Sequence, residues 1–142
     1  MKDSVKRTWL PLGVITIFGA TLRSLYLHTN SFWLDEMFQI GDIRGSFFQT
    51  LMAVPKQKPP LDYLIERVFI QLFGVNEVSA RVHAVIFGIL AIIAIYTLAK
   101  RLFDRQVGII AACLLAFSTL GIHYSQDGRP YALQILLSIL NL

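Results

Sequence analysis

Residues 82–99, VHAVIFGILAIIAIYTLA, form an apolar run without a single acidic or basic residue apart from one histidine. An uncharged run of about 20 residues is long enough to cross a bilayer as a helix. The basic segment KRLFDR, residues 100–105, follows, and a second apolar run occupies residues 107–122. This order predicts two membrane-spanning helices joined by a short basic loop.

The composition supports an all-α integral membrane protein. The chain is 55% hydrophobic and only 15% charged, and the charges lie between the long apolar runs. Its net charge of +4 comes from basic residues that flank apolar segments and form no stripe, so we expect no nucleic-acid partner. The single cysteine, Cys113, excludes an internal disulfide and is interpreted as a small packing residue.

The positive-inside rule predicts the topology. It assigns the basic loop, residues 100–106, to the cytoplasm, and the basic N-terminus as well, ahead of a first span at residues 9–27. Residues 28–81 then form a long external loop, and residues 123–131 form a second one. A fourth span begins at residue 132 and stops short at residue 142. We therefore expect about four transmembrane helices, the last one truncated, in the N-terminal part of a larger protein or in a truncated gene product.

The long external loop is expected to carry interfacial helices. Residues 60–73 are too short and too charged to cross, so we predict a helix lying on the outer surface, with Asp62 and Glu66 on one hydrated face. A second surface helix is predicted from Asp35 to about residue 52, capped by Ser31. Its membrane-facing apolar residues would be Phe38, Phe47, Phe48, Leu51 and Met52.

Two polar islands mark the candidate site on the predicted external face. They are WLDE, residues 33–36, and SQDGRPY, residues 125–131. Ionisable groups at the mouth of a membrane protein indicate function, and here they predict a site for an ionic substrate. Asp35 and Glu36 could instead form the acidic first turn of a helix. Asp127 and Arg129 could instead form a local ion pair in a turn.

Two further cations are candidates for binding a phosphate. Arg81 and Lys58 would hold it, or else anchor the chain at the membrane interface with their long stems, as Arg23 is expected to do. No spacing among the histidines matches a recognised zinc or iron motif. A divalent ion, if one takes part, would bind carboxylates, and those available are Asp35, Glu36 and Asp127.

Several elements together resemble a known family. They are WLDE; KPPLDY, residues 58–63; LFG, residues 72–74; EVSAR, residues 77–81; and YSQDGRPYAL, residues 124–133. This ordered set is similar to the N-terminal third of GT-C fold membrane glycosyltransferases of the family 39-like group, which includes protein O-mannosyltransferases and aminoarabinose transferases. Many members carry histidine where this chain has Lys58.

The resemblance implies a function and places residues in it. Such enzymes transfer a sugar from a polyprenyl-phosphate carrier to an acceptor on the external or lumenal side of a membrane. It implies that Asp35 and Glu36 are the catalytic pair and that Asp127, Arg129 and Arg81 bind substrate or phosphate. Lys58 is a phosphate candidate by its charge and not by the resemblance. The partners would be the lipid-linked donor, membrane lipid and a protein, lipid or glycan acceptor.

Two other interpretations stay open at this point. The chain could be a transporter whose external charges gate an anionic solute, or a non-catalytic fragment that packs against a partner subunit. The apolar runs are nearly free of charge, which favours chemistry at the external mouth over transport. We expect a multi-pass protein of a bacterial or archaeal plasma membrane, with its active face outside.

Overall fold

The computed structural model describes residues 2–29, 31–54 and 60–142, and the regular elements within these ranges are all α-helices. The predicted all-α class is therefore confirmed for this part of the chain. The helices are α1 (Lys2–Ser24), α2 (Leu34–Ile43), α3 (Phe47–Ala53), α4 (Pro60–Phe73), α5 (Glu77–Leu102), α6 (Arg105–Phe117), α7 (Thr119–Ser125) and α8 (Tyr131–Leu140).

The long helix α5 is the centre of the structure, and α1, α4, α6, α7 and α8 all contact it. One apolar cluster joins α5 to α1 and α6, and a smaller one joins α5 to α8. Many of the buried positions are alanines, which let helix backbones approach closely, as is typical of helix pairs in membranes. The first cluster consists of Leu12, Ile92, Tyr96, Ala112 and Ala116.

The helices differ in how well they meet the requirements of a membrane span. Only α5, among the described residues, is both long and apolar enough to cross a bilayer as one helix. The pair α6 and α7 meets the same requirements only when taken together, and it is bent by 60°. The apolar parts of α1 and α8 are shorter. Four spans and their orientation therefore stay a prediction.

The bend lies inside the third predicted span, residues 107–122. Ser118 leaves the helical conformation, with φ −61° and ψ 118°, and its hydroxyl accepts a hydrogen bond from the Gly121 amide at 3.1 Å. Ser118 thereby ends α6 and caps α7. The break leaves carbonyl groups at the end of α6 without partners in their own helix.

Arg23 satisfies these carbonyl groups. Its guanidinium donates to the carbonyl oxygen atoms of Leu115 at 2.9 Å and Ala116 at 3.0 Å, and to that of Gly19 within its own helix. The expectation that Arg23 snorkels towards lipid headgroups is wrong, because the residue is buried between α1, α6 and α7. Its stem and charge hold the bend together instead of anchoring the chain at the surface.

The first predicted external loop carries three short helices. The predicted surface helix from Asp35 to residue 52 is divided into α2 and α3, since Ser46 caps a new helix by accepting from the Gln49 amide at 3.3 Å. The expected cap at Ser31 is wrong, because α2 begins at Leu34 and its N-cap is Trp33. The apolar side chains proposed to face the membrane are solvent-exposed, as that role requires: Phe38, Phe47, Phe48, Leu51 and Met52.

Replacing Gly88 should test the packing around Arg23. A Cβ atom at Gly88 would collide with the Ser125 side chain and lie 3.0 Å from Arg23 Nε. We expect Gly88→Ala to lower the free energy of unfolding by about 1–3 kcal/mol, as overpacking usually does. Gly13→Ala is the matched control, since its Cβ would meet nothing within 4 Å. Thermal unfolding in detergent measures both, and equal melting temperatures for the two variants would contradict this packing.

Candidate functional site

A buried ion pair between Glu36 and Arg81 lies at the base of the site. Arg81 Nε donates to Glu36 Oε1 at 2.8 Å and Nη2 donates to Oε2 at 2.7 Å. Both side chains are almost completely shielded from solvent. This two-point geometry is the strongest form of an arginine–carboxylate interaction. It joins the start of α2 to the start of α5.

Glu36 also organises the backbone around it. Its carboxylate accepts hydrogen bonds from the amides of Gly128 at 2.9 Å and Trp33 at 3.0 Å. Burial alone would raise the pKa of Glu36, but the hydrogen bonds from Arg81, Gly128 and Trp33 outweigh it and lower the pKa below its ordinary value. Glycine fits closely at position 128, because a Cβ there would lie only 3.0 Å from the Ala80 carbonyl oxygen and 3.1 Å from Glu36 Oε1.

Arg81 secures the other end of the first external loop. Its Nη1 donates to the Leu27 carbonyl oxygen at 2.8 Å and its Nη2 to that of Ser31 at 3.3 Å. The guanidinium is therefore engaged on several sides and buried. A phosphate-binding role for Arg81 stays a prediction, and in this arrangement the side chain positions the loop around Glu36.

Asp35 lies next to Glu36 but faces a different direction. Successive residues of a helix point about 100° apart, so Glu36 turns inward while the Asp35 side chain keeps 69% of its surface exposed. Arg129 Nη1 contacts Asp35 Oδ2 at 2.6 Å. Within the described residues Arg129 thus forms its ion pair with Asp35 rather than with Asp127. The two polar islands of the sequence meet in space through this pair.

The second polar island is fixed to the end of α1. Gln126 Nε2 donates to the carbonyl oxygen atoms of Leu22 and Leu25, both at 2.9 Å. The Arg129 guanidinium lies over the Tyr131 ring, 5.7 Å from its centroid, and the rings of Tyr124 and Tyr131 pack 4.8 Å apart. Burial alone would lower the pKa of Arg129, but the charges of Asp35, Tyr131 and Asp127 and the hydrogen bond to Asp35 together outweigh it and raise that pKa.

A cavity of about 460 Å³ opens beside this pair. Its described lining residues are Trp33, Leu34, Asp35, His123 and Asp127. The volume lies within the range of small-molecule sites. Burial, followed by the negative charge of Glu36, raises the pKa of Asp127, which makes this carboxyl group more basic than usual. The predicted site residues Asp35 and Asp127 therefore line one cavity.

A larger depression, about 810 Å³, lies at the turn between α5 and α6. It is lined by Asp104, Arg105, Gln106 and Ile109, and the Asp104 carboxylate is occupied in capping α6 through the amides of Gln106 and Val107. We assign it no function, because its charged groups serve the helix end.

A second buried polar cluster lies beneath α2, and the sequence did not predict it. Gln39 Nε2 donates to Asp62 Oδ2 at 2.9 Å and to Glu66 Oε2 at 2.7 Å, while His83 Nε2 lies 3.4 Å from Asp62 Oδ1. The prediction that Asp62 and Glu66 stay hydrated is wrong, because this face of α4 packs against α2 and α5. Their four-residue spacing was the available signal that both share one face.

The remaining predicted ligands are placed as follows. Lys58 lies outside the described residues. No group of three or more His, Cys, Asp or Glu side chains in the described part of the chain is arranged to hold a metal ion. Asp35, Glu36 and Asp127 do not converge, since the Glu36 carboxylate is turned towards Arg81. No step of the chemistry is assigned to a metal here.

Substitutions at positions 35 and 36 should differ strongly in their effect on stability. Glu36→Leu leaves Arg81 buried without its partner, which lowers the free energy of unfolding by about 3–5 kcal/mol in comparable cases. Asp35→Asn changes an exposed side chain and should shift it by less than about 0.5 kcal/mol. Thermal or denaturant unfolding in detergent checks both. A stable Glu36→Leu protein would show that the pair is not the foundation of the site.

Glu66 should make the stability depend on pH. Burial raises the pKa of Glu66 to about 8, although the hydrogen bond from Gln39 opposes this. Because the pKa is raised by folding, the protonated group favours the folded state fully below about pH 4.5 and loses this contribution as the pH rises through about 8.

We therefore expect the melting temperature to fall between about pH 5 and about pH 9, and the Glu66→Gln variant to lose most of that fall. Glu77→Gln is the matched control, since Glu77 lies half-buried in the first turn of α5. A Glu66→Gln protein with the same pH profile as the parent would contradict the assignment.

Parts of the chain are similar in sequence to known proteins. A family model described as dolichyl-phosphate-mannose-protein mannosyltransferase matches residues 57–142. An uncharacterized protein of Aquifex aeolicus (strain VF5) is 22% identical over 137 residues, which cover 92% of this chain and 27% of the relative. The chain thus spans about a quarter of that relative's length. No solved structure matches significantly. The family match covers more than half of the chain and includes its second polar island, so the chain belongs to the dolichyl-phosphate-mannose-protein mannosyltransferase family.

Proposed function

We propose that this chain forms the external catalytic mouth of a membrane glycosyltransferase. The enzyme would transfer a hexose or pentose from a polyprenyl-phosphate donor to a hydroxyl group of a protein, lipid or glycan acceptor. One observation carries the proposal: in a chain of this family, Asp35 and Arg129 meet at 2.6 Å beside a cavity lined by Asp35 and Asp127. A base and a cation are thereby adjacent, as glycosyl transfer from a phosphate requires.

Asp35 is the proposed general base. Arg129 contacts only its Oδ2 atom, and Oδ1 makes no hydrogen bond within the described residues, so that oxygen is available to an acceptor. Asp35 would take the proton of the acceptor hydroxyl while the acceptor oxygen forms a bond to the anomeric carbon. The bond from that carbon to the phosphate oxygen breaks, and its electron pair stays on the departing phosphate.

Arg129 is the proposed partner of that phosphate. A guanidinium has five N–H donors, and the contact with Asp35 uses one nitrogen atom, while the buried Arg129 Nε has no hydrogen-bond partner among the described residues. Positive charge at this place stabilises the negative charge that develops on the leaving group. Lys58 is proposed to share this role. Glu36 would assist by positioning Asp35, and Arg81 by holding Glu36.

A transporter is the alternative that one structural feature favours. The bend between α6 and α7 is of the kind that transporters use to bind ions with free backbone carbonyls. Here the carbonyl groups of Leu115 and Ala116 at the bend already accept hydrogen bonds from Arg23. These carbonyl groups are therefore not free to bind an ion. The site at the external mouth supports the enzyme better than the transporter.

Asp35→Asn should abolish transfer without weakening the fold. In membranes that carry the full-length protein, with a labelled polyprenyl-phosphate mannose as first donor, we expect the rate to fall by at least about 10²–10⁴-fold, as for loss of a general base. Asp42→Asn, near the far end of the same helix α2, is the matched control and should keep the parental rate.

Transfer retained by Asp35→Asn would remove Asp35 from the mechanism. Absence of transfer by the unaltered full-length protein with mannosyl, aminoarabinosyl and other polyprenyl-phosphate donors would contradict the enzyme and favour transport. Accessibility of Asp35 to a membrane-impermeant reagent, after substitution by cysteine, would test whether this face is external.

A further inference from the structure

The indole ring of Trp33 is exposed beside the cavity and makes no specific contact within the described residues. Its backbone amide begins α2 by donating to Glu36, but no hydrogen bond or ring contact within the described residues engages its indole. The side chain is 66% exposed and forms one wall of the cavity that Asp35, His123 and Asp127 also line. The structure thus places the ring beside ionisable groups.

The charges of this cavity determine what kind of ligand fits. Its described lining includes the carboxylates of Asp35 and Asp127 and no lysine or arginine. Arg129, the neighbouring cation, contacts Asp35 from outside this described lining. A phosphate placed among two carboxylates would be repelled, since like charges at short range are unfavourable even when partly screened. The cavity therefore suits an uncharged group that offers hydrogen-bond donors.

A sugar ring has both properties that the walls require. Its hydroxyl groups donate to carboxylate oxygen atoms, which only accept when ionised, and an imidazole such as that of His123 can donate or accept. Its C–H face is apolar and can cover the exposed indole, which removes apolar surface from water. An aromatic face opposite a few convergent polar groups is the usual composition of a small-molecule site.

We propose that Trp33 is the stacking platform of a sugar subsite, with Asp127 and His123 binding the hydroxyl groups of the same ring. This rests on the proposed function and adds to it which part of the substrate enters the cavity. The phosphate of a donor would lie outside, towards Arg129, so that the anomeric carbon faces Asp35. The ring could belong to the donor or to a glycan acceptor, and the experiment separates the two.

The test is ¹⁹F NMR of the full-length protein labelled with 5-fluorotryptophan, in detergent. The Trp33 resonance is identified by its absence from Trp33→Phe. The probes are methyl α-mannopyranoside, methyl α-glucopyranoside, citronellyl phosphate and citronellyl phosphomannose. We expect the Trp33 resonance to shift saturably with citronellyl phosphomannose or with a methyl glycoside, and to stay in place with citronellyl phosphate alone.

The source of the ring follows from which probe acts. A shift with citronellyl phosphomannose assigns the subsite to the donor, and a shift confined to the methyl glycosides assigns it to an acceptor glycan. Asp127→Asn should weaken sugar binding about tenfold, the effect of losing one hydrogen bond to a charged group. A Trp33 resonance that no sugar moves, or that moves equally with citronellyl phosphate, overturns the proposal.

A kinetic comparison keeps the test independent of folding. Trp33→Leu should raise KM about tenfold, Trp33→Phe should restore most of the affinity, and Phe38→Leu should change neither KM nor kcat. Phe38 is the matched control because it is equally exposed on α2 and does not line the cavity. Equal loss in Trp33→Leu and Phe38→Leu would contradict a specific platform.

Failure of this inference is distinguishable from failure of the proposed function. Transfer by the unaltered protein with an unmoved Trp33 resonance defeats the sugar subsite alone. A saturable sugar shift without transfer defeats the glycosyltransferase and leaves the subsite in place.

Discussion

The buried pair of Glu36 and Arg81 is the constraint on which the site depends. Through Glu36 it holds the start of α2 and the amide of Gly128, and through Arg81 it holds the carbonyl groups of Leu27 and Ser31. Two segments separated by about ninety residues of sequence are thereby brought to one carboxylate. The buried Glu36 carboxylate requires the hydrogen bonds that Arg81 and the backbone amides donate to it, because an unpaired charge in a low-dielectric interior is strongly unfavourable.

The neighbouring carboxylates of Asp35 and Glu36 lie in different environments. Glu36 accepts several hydrogen bonds and supports the loops, whereas Asp35 contacts Arg129 through Oδ2 and makes no hydrogen bond at Oδ1 within the described residues. The different directions of the two side chains follow from helix geometry, because adjacent residues of a helix point about 100° apart. A positioning role for Glu36 and a chemical role for Asp35 are therefore compatible with one short motif.

The arginines also differ in their roles. Arg23 and Arg81 are buried. Arg23 donates to backbone carbonyls and stabilises the bend, whereas Arg81 donates to backbone carbonyls and to Glu36 and stabilises the loop. Arg129 lies beside the cavity, pairs with Asp35 and has no hydrogen-bond partner at Nε among the described residues. Position relative to the bend and the loops, and not residue type, separates supporting arginines from the candidate for substrate binding.

The sequence by itself determined the helical class and the boundaries of α4 and α5 to within a few residues, and it predicted Asp35, Asp127 and Arg129 as site residues. These follow from local hydropathy and from polar residues at the ends of apolar runs, which need no knowledge of contacts. Only the tertiary structure decided which groups pair. The burial of Asp62 and Glu66 under α2, the use of Arg23 at the bend and the choice of Asp35 as partner of Arg129 all join residues distant in sequence. Such pairing between distant residues depends on how the helices pack, and the spacing of residues along the sequence does not predict it.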